Sequence, residues 1–487
     1  LSRVPDLRVP AQTSSFYYKD RPQDVRVIAD SLGVETILEG SVGPGFRVTA
    51  QLIDAETGFH LWTRTYEQGL DGLPELTAEI VGEAVQALGI ELQASWMPHG
   101  ANTRVAAAWQ DYAKARHWWS KRTPAGTDTA IVYFRRAVDE DPAWALAWSG
   151  RADAHVTGRF WGHLPDSDAL ETVVRDAASR AVELDSTLAE ARASYGAVLH
   201  DFEQDDEAAA RELERALELN PNYAVARLWY GETLFMDLGR YEEGLRQVRL
   251  AYELDPLSPI MARLLGNFLW WSPGGAEEAL RYFDIALDLE PGHWPSHSNK
   301  AIALACLTRE HEARAALALL RDSFPDVPRA QLDAADVLGI LRDYDEAGVV
   351  IDRIREDFPA EADYSSYFSR IAIGVYVEQG RYAAAMAEYR RLADLIISHS
   401  PNTLALWLAW IYARSGDEEA ARTVLESVPS DRRPRQRAGV LAALGDHDQA
   451  LELLRRVVEE EWVVWDSVCL AADPDFDDVR TNPKYID

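Results

Sequence analysis

Histidines and cysteines are the residues of this chain whose spacing comes nearest to chemistry, and each arrangement stops short of a reactive or metal-binding motif. His311-Glu312 opens like a zinc-binding helix, but no second histidine follows at the interval that would put two imidazoles on one face. His293 and His297 are four apart, yet Pro295 lies between them near a helix start. Cys306 and Cys469 form no CxxC pair and sit in apolar helical contexts, so buried thiols are expected, a state that fits a reducing compartment. No GxxxxGK(S/T) phosphate loop, GxSxG elbow, HExxH helix or GxGxxG fingerprint occurs. The chain therefore reads as non-enzymatic, with no catalytic, cofactor-binding or metal-binding residues.

Its functional residues must instead be those of a scaffold. Pro221, Pro256, Pro291, Pro325 and Pro359 follow one another at 35, 35, 34 and 34 residues. Each closes a helix-like segment: ALELNP, AYELDP, ALDLEP, LRDSFP and IREDFP. A fixed period holding two helical patterns marks an array of stacked helical hairpins, which presents a long surface to other proteins. Small residues recur where two helices would cross, with a bulky residue beside them: Ala130, Phe134 and Ala137; Ala209, Leu213 and Ala216; Gly244, Val248 and Ala251; Ala279, Phe283 and Ala286. The pattern loosens to Ala313, Leu317 and Leu320, then to Ala347, Ile351 and Ile354. Beyond Pro359, turns at Gly380, Gly416 and Gly445 still mark hairpins, about ten units in all. Proline after each second helix prevents its continuation.

One unit is too long. Pro142 and its counterpart Ser186 are 44 residues apart, and the surplus falls near Thr157 to Asp168, read as a loop carrying Phe160, Trp161 and His163. Such insertions often lie on a binding face; the plainer reading is that the aromatics tuck against the array.

Composition narrows the partners. With 80 acidic and 49 basic side chains, formally −31, the chain should repel phosphate backbones and anionic lipid, so no nucleic acid is expected as a ligand; the plainer reading of the acidic surface is that it keeps a large helical array soluble, the sharper one that it attracts a basic protein or peptide. No run of about 18 apolar residues suggests a membrane span. Most of the 16 tryptophans should fill space between helices.

The first ninety residues lack the long period. Gln23 to Leu32 places Val25, Ile28, Ala29 and Leu32 on one helical face, stopped by Gly33. Glu35 to Val42 reads as a strand, Gly43-Pro44-Gly45 as a turn, and Phe46, Val48, Ala50 and Leu52 as an alternating strand. Asp54 to Gly58 turns the chain into a third strand, His60 to Tyr66, and a helix runs from Pro74 to Leu88. Thr13, Ser14 and Ser15 could line a small site, but a polar turn beside an aromatic strand at Phe16 to Lys19 is simpler.

The runs RVPAQTSSFYYK, VRVIADSLGVETILEGSV and RVTAQLIDAETGFHLWTRTYE resemble the domain related to the amino-terminal part of TolB. That domain stands before tetratricopeptide repeats in bacterial proteins, typically after a winged-helix regulator, nucleotide cyclase or kinase domain. The resemblance covers about residues 1–95 and lacks the family's opening strand and first helix; Leu1 in place of Met implies that the natural chain continues upstream. The hairpin array, residues 103–487, resembles the tetratricopeptide family. Trp148, Ala152 and His155, then Tyr195-Gly196 and Tyr230-Gly231, stand at its first-helix positions, and WVVWDSVCLAADPDFDDVRTNPKY resembles a closing segment that should cap the last apolar face.

The fold class these resemblances imply is mainly α: an α-α superhelix of tetratricopeptide repeats preceded by a small α+β domain. The implied role is a sensor or interaction module that binds a protein or peptide in a repeat groove and relays this to an upstream output domain; the alternative is a stand-alone scaffold or cochaperone. In some members, basic and asparagine side chains on three consecutive first helices clamp a partner's C-terminal carboxylate. Arg263, Asn267, Asn299 and Arg329 match four of those positions, while the fifth is Asp333, which would repel a carboxylate. The implied compartment is the cytoplasm, or the periplasm beyond an upstream membrane span.

Overall fold

The computed structural model describes residues 7–19, 23–67, 73–90, 105–121, 123–160, 167–359, 365–396, 401–430, 433–460 and 476–480, with isolated positions between these stretches. The chain forms two compact units, Leu1–Met261 and Ala262–Asp487.

In the first unit, helix α2 (Val25–Leu32) is capped at its start by the Asp24 side chain and at its end by left-handed Gly33. Strands β1 (Thr36–Gly43), β2 (Arg47–Asp54) and β3 (His60–Glu67) form an antiparallel sheet in that order. The expected alternation holds to Leu52; a bulge between Leu52 and Ile53 then buries both. Helix α3 (Leu73–Ala87) lays Leu76 and Ile80 against Ala50 and Tyr66. Glu83 of α3 accepts hydrogen bonds from Trp62 Nε1 (3.2 Å) and Tyr66 Oη (3.1 Å) and pairs with Arg64. Burial and the Glu83 carboxylate push the Tyr66 hydroxyl up to about 12.

The segment before this sheet differs from expectation. Gln12–Phe16 is a short helix (α1), not a turn leading into a strand. The reason lies some 240 residues away. Ser14, 0% exposed, gives its backbone N–H (3.0 Å) and hydroxyl (2.5 Å) to Asp255 Oδ1, while its Oγ accepts from the Leu257 backbone N–H (2.9 Å). Ala11 N–H bonds the Leu254 carbonyl at 2.6 Å, Arg8 pairs with Glu253 at 3.1 Å, and Asn222 gives its side-chain amide to the carbonyls of Ser2 and Leu7. Upstream, Val4 packs on Val81 and Val85 of α3. The described residues among the first sixteen are thus a strap joining the sheet domain to the turns that hold Pro221 and Pro256.

Ten helical hairpins follow among the described residues, four completed in the first unit. Repeat 1 pairs Ala106–Trp119 with Pro124–Glu140, repeat 2 Ala145–Phe160 with Asp168–Leu184, repeat 3 Ala189–Val198 with Asp206–Leu219, and repeat 4 Ala224–Glu232 with Tyr241–Leu254. Part of the expected insertion loop is helical: Thr157 to Phe160 extend the first helix of repeat 2, because Thr157 Oγ1 accepts from Trp119 Nε1 (3.1 Å) and donates to the Asp153 carbonyl (2.7 Å). In repeats 3 and 4 the first helix widens into a π turn, Leu199–Glu203 and Thr233–Asp237. Ala130, Phe134, Ala137, Ala209, Leu213, Ala216 and Ala251 are wholly buried. A Cβ built on Gly150 would lie 2.2 Å from Phe134 Cε1, so glycine lets this helix pair close.

The second unit, entered within the first helix of repeat 5, holds repeat 5 (Pro259–Trp270 with Ala276–Leu289), repeat 6 (Trp294–Cys306 with Glu310–Ser323) and repeat 7 (Pro328–Ile340 with Tyr344–Asp357). Repeat 8 (Ser366–Glu378, Tyr382–Ile396), repeat 9 (Pro401–Ser415, Glu418–Ser427) and repeat 10 (Pro434–Ala443, His447–Glu460) complete it. Phe283, Ala313, Leu320, Ala347 and Ile351 fill the interhelical positions assigned to them. Turns inside these hairpins need one left-handed residue; Gly274, Gly380, Gly416 and Gly445 supply it without strain, whereas Thr308 and Arg342 adopt it at φ 57° and 67°. Of the closing segment, Phe476 to Arg480 are described, with Phe476 and Val479 buried and Asp477–Arg480 packed on the last helix of repeat 10. Cys306, expected as a thiol, is disulfide-bonded, and Cys469 lies outside the described residues. Two cysteines far apart in sequence carry no spacing signal for such a bond. No helix among the described residues is long and apolar enough to cross a membrane.

Candidate partner-binding face

First helices of neighbouring repeats pack side by side, so side chains at one repeat position form a row from hairpin to hairpin. The position held by Asn299 recurs at Asp333 and Tyr367, each 34 residues on. In the second unit that row and its flanks form a continuous polar stripe on repeats 5 to 8.

The stripe begins at Arg263, 5% exposed, and Asn267, 9% exposed, one turn apart on the first helix of repeat 5. Asn299 Nδ2 donates to Asn267 Oδ1, so the other two amide atoms, Asn267 Nδ2 and Asn299 Oδ1, have no protein partner among the described residues. His293 stands nearby; burial, then the positive charge of Arg263, pushes its imidazole down to about 3, and it shares a 2.7 Å hydrogen bond with Ser296. Farther along, Asp333, 6% exposed, accepts from Arg329 Nε (3.2 Å) and from Tyr367 Oη (3.0 Å). Tyr367 Oη also lies 3.4 Å from Asp336 Oδ2, and the Arg329 guanidinium stacks 3.9 Å from the Tyr367 ring centroid. Burial raises both carboxyls. For Asp336, burial and the adjacent Asp333 charge push the pKa up to about 6. The Tyr367 hydroxyl is driven well above its usual range by burial and these carboxylates.

Of the four residues set down as a carboxylate clamp, Arg263, Asn267 and Asn299 come together, whereas Arg329 is turned to Asp333 and Tyr367. Asp336, Tyr367 and His293 were not foreseen, although the 34-residue row from Asn299 pointed to Tyr367. Of the insertion aromatics, Trp161 and His163 lie outside the described residues, as does the side chain of Phe160. His293 Nδ1 turns to Ser296 and His297 Nε2 to the Pro291 carbonyl.

The same face in the first unit is built differently. Arg116 of repeat 1 lies 4.0 Å from Asp153 of repeat 2, which accepts from Ser194 of repeat 3 at 2.5 Å; Ser194 also shares a 2.8 Å hydrogen bond with Ser149. From repeat 4, Val225 packs on the cluster of Ala115, Trp119, Phe134 and Ala154. The Tyr223 hydroxyl is buried near Asp153 and Arg116; burial, then the Asp153 and Glu190 charges, drive it well above its usual range, with Arg116 opposing them. Side chains of repeat 4 thus fill this face against repeats 1 and 2.

Hairpins of this length, packed small residue to large, define an α-helical repeat protein. A family model described as tetratricopeptide repeat matches residues 204–259, which run from the second helix of repeat 3 through repeat 4. Among curated proteins, "Putative adenylate cyclase 3" of Rhizobium meliloti (strain 1021) is 41% identical over 97 residues, 19% of this chain and 16% of that protein, so the match spans less than a fifth of its length. Similar solved structures include YrrB, described as a TPR protein with an unusual peptide-binding site (24% identity, 39% of this chain and 89% of that one, TM-score 0.24). They also include Pseudomonas aeruginosa pilF (21%, 45% and 95%, TM-score 0.33) and a human IFIT1 dimer with PPP-AAAA (14%, 74% and 80%, TM-score 0.41).

Proposed function

We propose that this chain is a non-enzymatic interaction module that receives a protein or peptide segment on the first helices of repeats 5 to 8. The observation that carries this reading is the pair of uncommitted amide atoms on Asn267 and Asn299, held beside buried Arg263. A side-chain amide offers one donor and one acceptor, which matches the backbone of an extended peptide. Arg263 and the two asparagines would hold the partner's C-terminal carboxylate. The Asp333–Asp336 pair, two repeats on, would select a basic side chain upstream in the same partner and disfavour an acidic one.

The wider role we propose is a sensor in a bacterial signalling or transcriptional regulator, with a TolB-like domain over residues 1–95 and the repeats over 103–487. The likeness of one stretch to a named cyclase supports this, and so does the strap, which ties the sheet domain to two repeat turns and offers a path from a loaded array to whatever the sheet domain contacts. We place the chain in the cytoplasm, with the periplasm as the alternative.

The test is fluorescence anisotropy with a library of labelled peptides against the full chain. A free C-terminal peptide with an upstream lysine should bind, and Arg263→Ala should weaken it about tenfold or more. Equal binding of the C-terminally amidated peptide would sink the carboxylate assignment, and failure of every peptide to bind would sink the site.

A further inference from the structure

We infer that repeats 3 and 4 together form a site for one divalent transition-metal ion, held by His200, Asp206 and Asp237. The three come from separate elements. His200 lies on the π turn of repeat 3, Asp206 is the first residue of that repeat's second helix, and Asp237 ends the π turn of repeat 4. The two π turns stand 34 residues apart, at the same place in consecutive hairpins, and such widened turns often occur at functional sites. By widening, the first helix changes the direction in which its last residues project.

The resulting geometry suits a small cation. His200 Nδ1 lies 2.9 Å from Asp206 Oδ1 and 3.7 Å from Asp237 Oδ2, and one ligand atom from each residue lies within 4.8 Å of the others. Ligands about 2.1 Å from a tetrahedral zinc ion sit about 3.4 Å from one another, a value these two distances bracket. All three side chains are partly exposed, so an ion has a way in.

The charge balance supplies the second argument. Elsewhere along the array, acids near helix ends are matched by arginines, as in Arg240 with Glu243, Arg309 with Glu312 and Arg422 with Asp446. Asp206 and Asp237 meet no arginine or lysine among the described residues; their one ion-pair partner is His200. Asp201 adds a third carboxylate on the same turn as His200, facing Arg159 at 3.9 Å. Two carboxylates sharing one imidazole leave an excess of negative charge that a divalent ion would neutralise. One nitrogen and two oxygen ligands favour zinc or manganese over magnesium, which prefers all-oxygen shells. Because the ligands span two repeats, the ion would also brace their junction.

The full chain, free of any affinity tag, is stripped with chelator, incubated with zinc chloride, manganese chloride or magnesium chloride, desalted, and assayed for bound metal and for Tm. One equivalent of zinc or manganese should be retained and raise Tm, with magnesium doing neither. His200→Ala should abolish retention. Asp237→Asn preserves shape and should weaken binding about tenfold or more, guarding against a folding defect in the first variant. No retained metal in the wild type would reduce the cluster to an ordinary histidine–carboxylate ion pair and overturn the site. Equal retention by the wild type and Asp237→Asn would place the ion elsewhere and overturn it as well.

Discussion

Repeats 1 to 4 and repeats 5 to 8 are made from the same hairpin, yet their first-helix faces have opposite characters. At one repeat position the earlier hairpins carry Gly150, Ser194 and Trp229, and the later ones Asn299, Asp333 and Tyr367. In the first unit Tyr223 and Val225 of repeat 4 close on repeats 1 and 2, where buried Asp153 lies beside half-buried Arg116. In the second unit the polar groups meet only their neighbours and leave amide atoms unused. A repeat array can therefore use one stretch of its face for its own cohesion and leave polar groups on another.

Five experiments would break or sharpen this contrast. The largest effect is expected from Asp153→Ala, which strands half-buried Arg116; the first unit should lose about 3–5 kcal/mol, read as a lower denaturant midpoint, while peptide affinity at repeats 5 to 8 stays unchanged. Loss of peptide binding in that variant would show that the two faces are not independent.

Next comes pH. Asp336 has its carboxyl raised from 3.8 to about 6, so the folded state binds a proton that the unfolded chain releases. The contribution to stability is fully present below about pH 4 and is lost as pH rises through about 6, a change of about 3 kcal/mol. Asp336→Asn should flatten this slope and raise stability at pH 7; an unchanged pH profile would remove the coupled carboxylates from the account.

Ser14→Ala takes the hydroxyl from Asp255 and from the Leu257 backbone N–H, and should cost about 1–3 kcal/mol. Hydrogen exchange should show the amides of residues 8–16 opening while the core of repeats 5 to 8 keeps its protection. The smallest effect is expected from Thr308→Gly, which relieves a β-branched residue at positive φ and should raise stability by about 1 kcal/mol. Gly150→Ala is its mirror: the added Cβ meets Phe134 and should cost about 1–3 kcal/mol.

The period of 34 to 35 residues, the residues filling each hairpin, the ninety-residue sheet domain and its turns were all legible, because each depends on contacts within a few dozen residues. Propensity could not find the strap, since Gln12–Phe16 takes its shape from Asp255 and Leu254, and a polar segment reads as a turn until its distant partners are known. The candidate site was half legible. Counting repeat positions reached Arg263, Asn267 and Asn299, but it set Arg329 in the clamp, where the nearer Asp333 and the Tyr367 ring hold it instead.

Sequence alone determined that this protein is an array of helical hairpins behind a small α+β domain, because apolar periodicity, small crossing residues and helix-ending prolines act locally and repeat. Tertiary structure alone decided which face is filled from within and which has amide groups to offer. It also decided that His200, Asp206 and Asp237 converge. Those outcomes depend on how far one first helix leans over the next and on two widened turns, and such small rotations, summed over repeats, bring together side chains whose separation in the chain carries no signal.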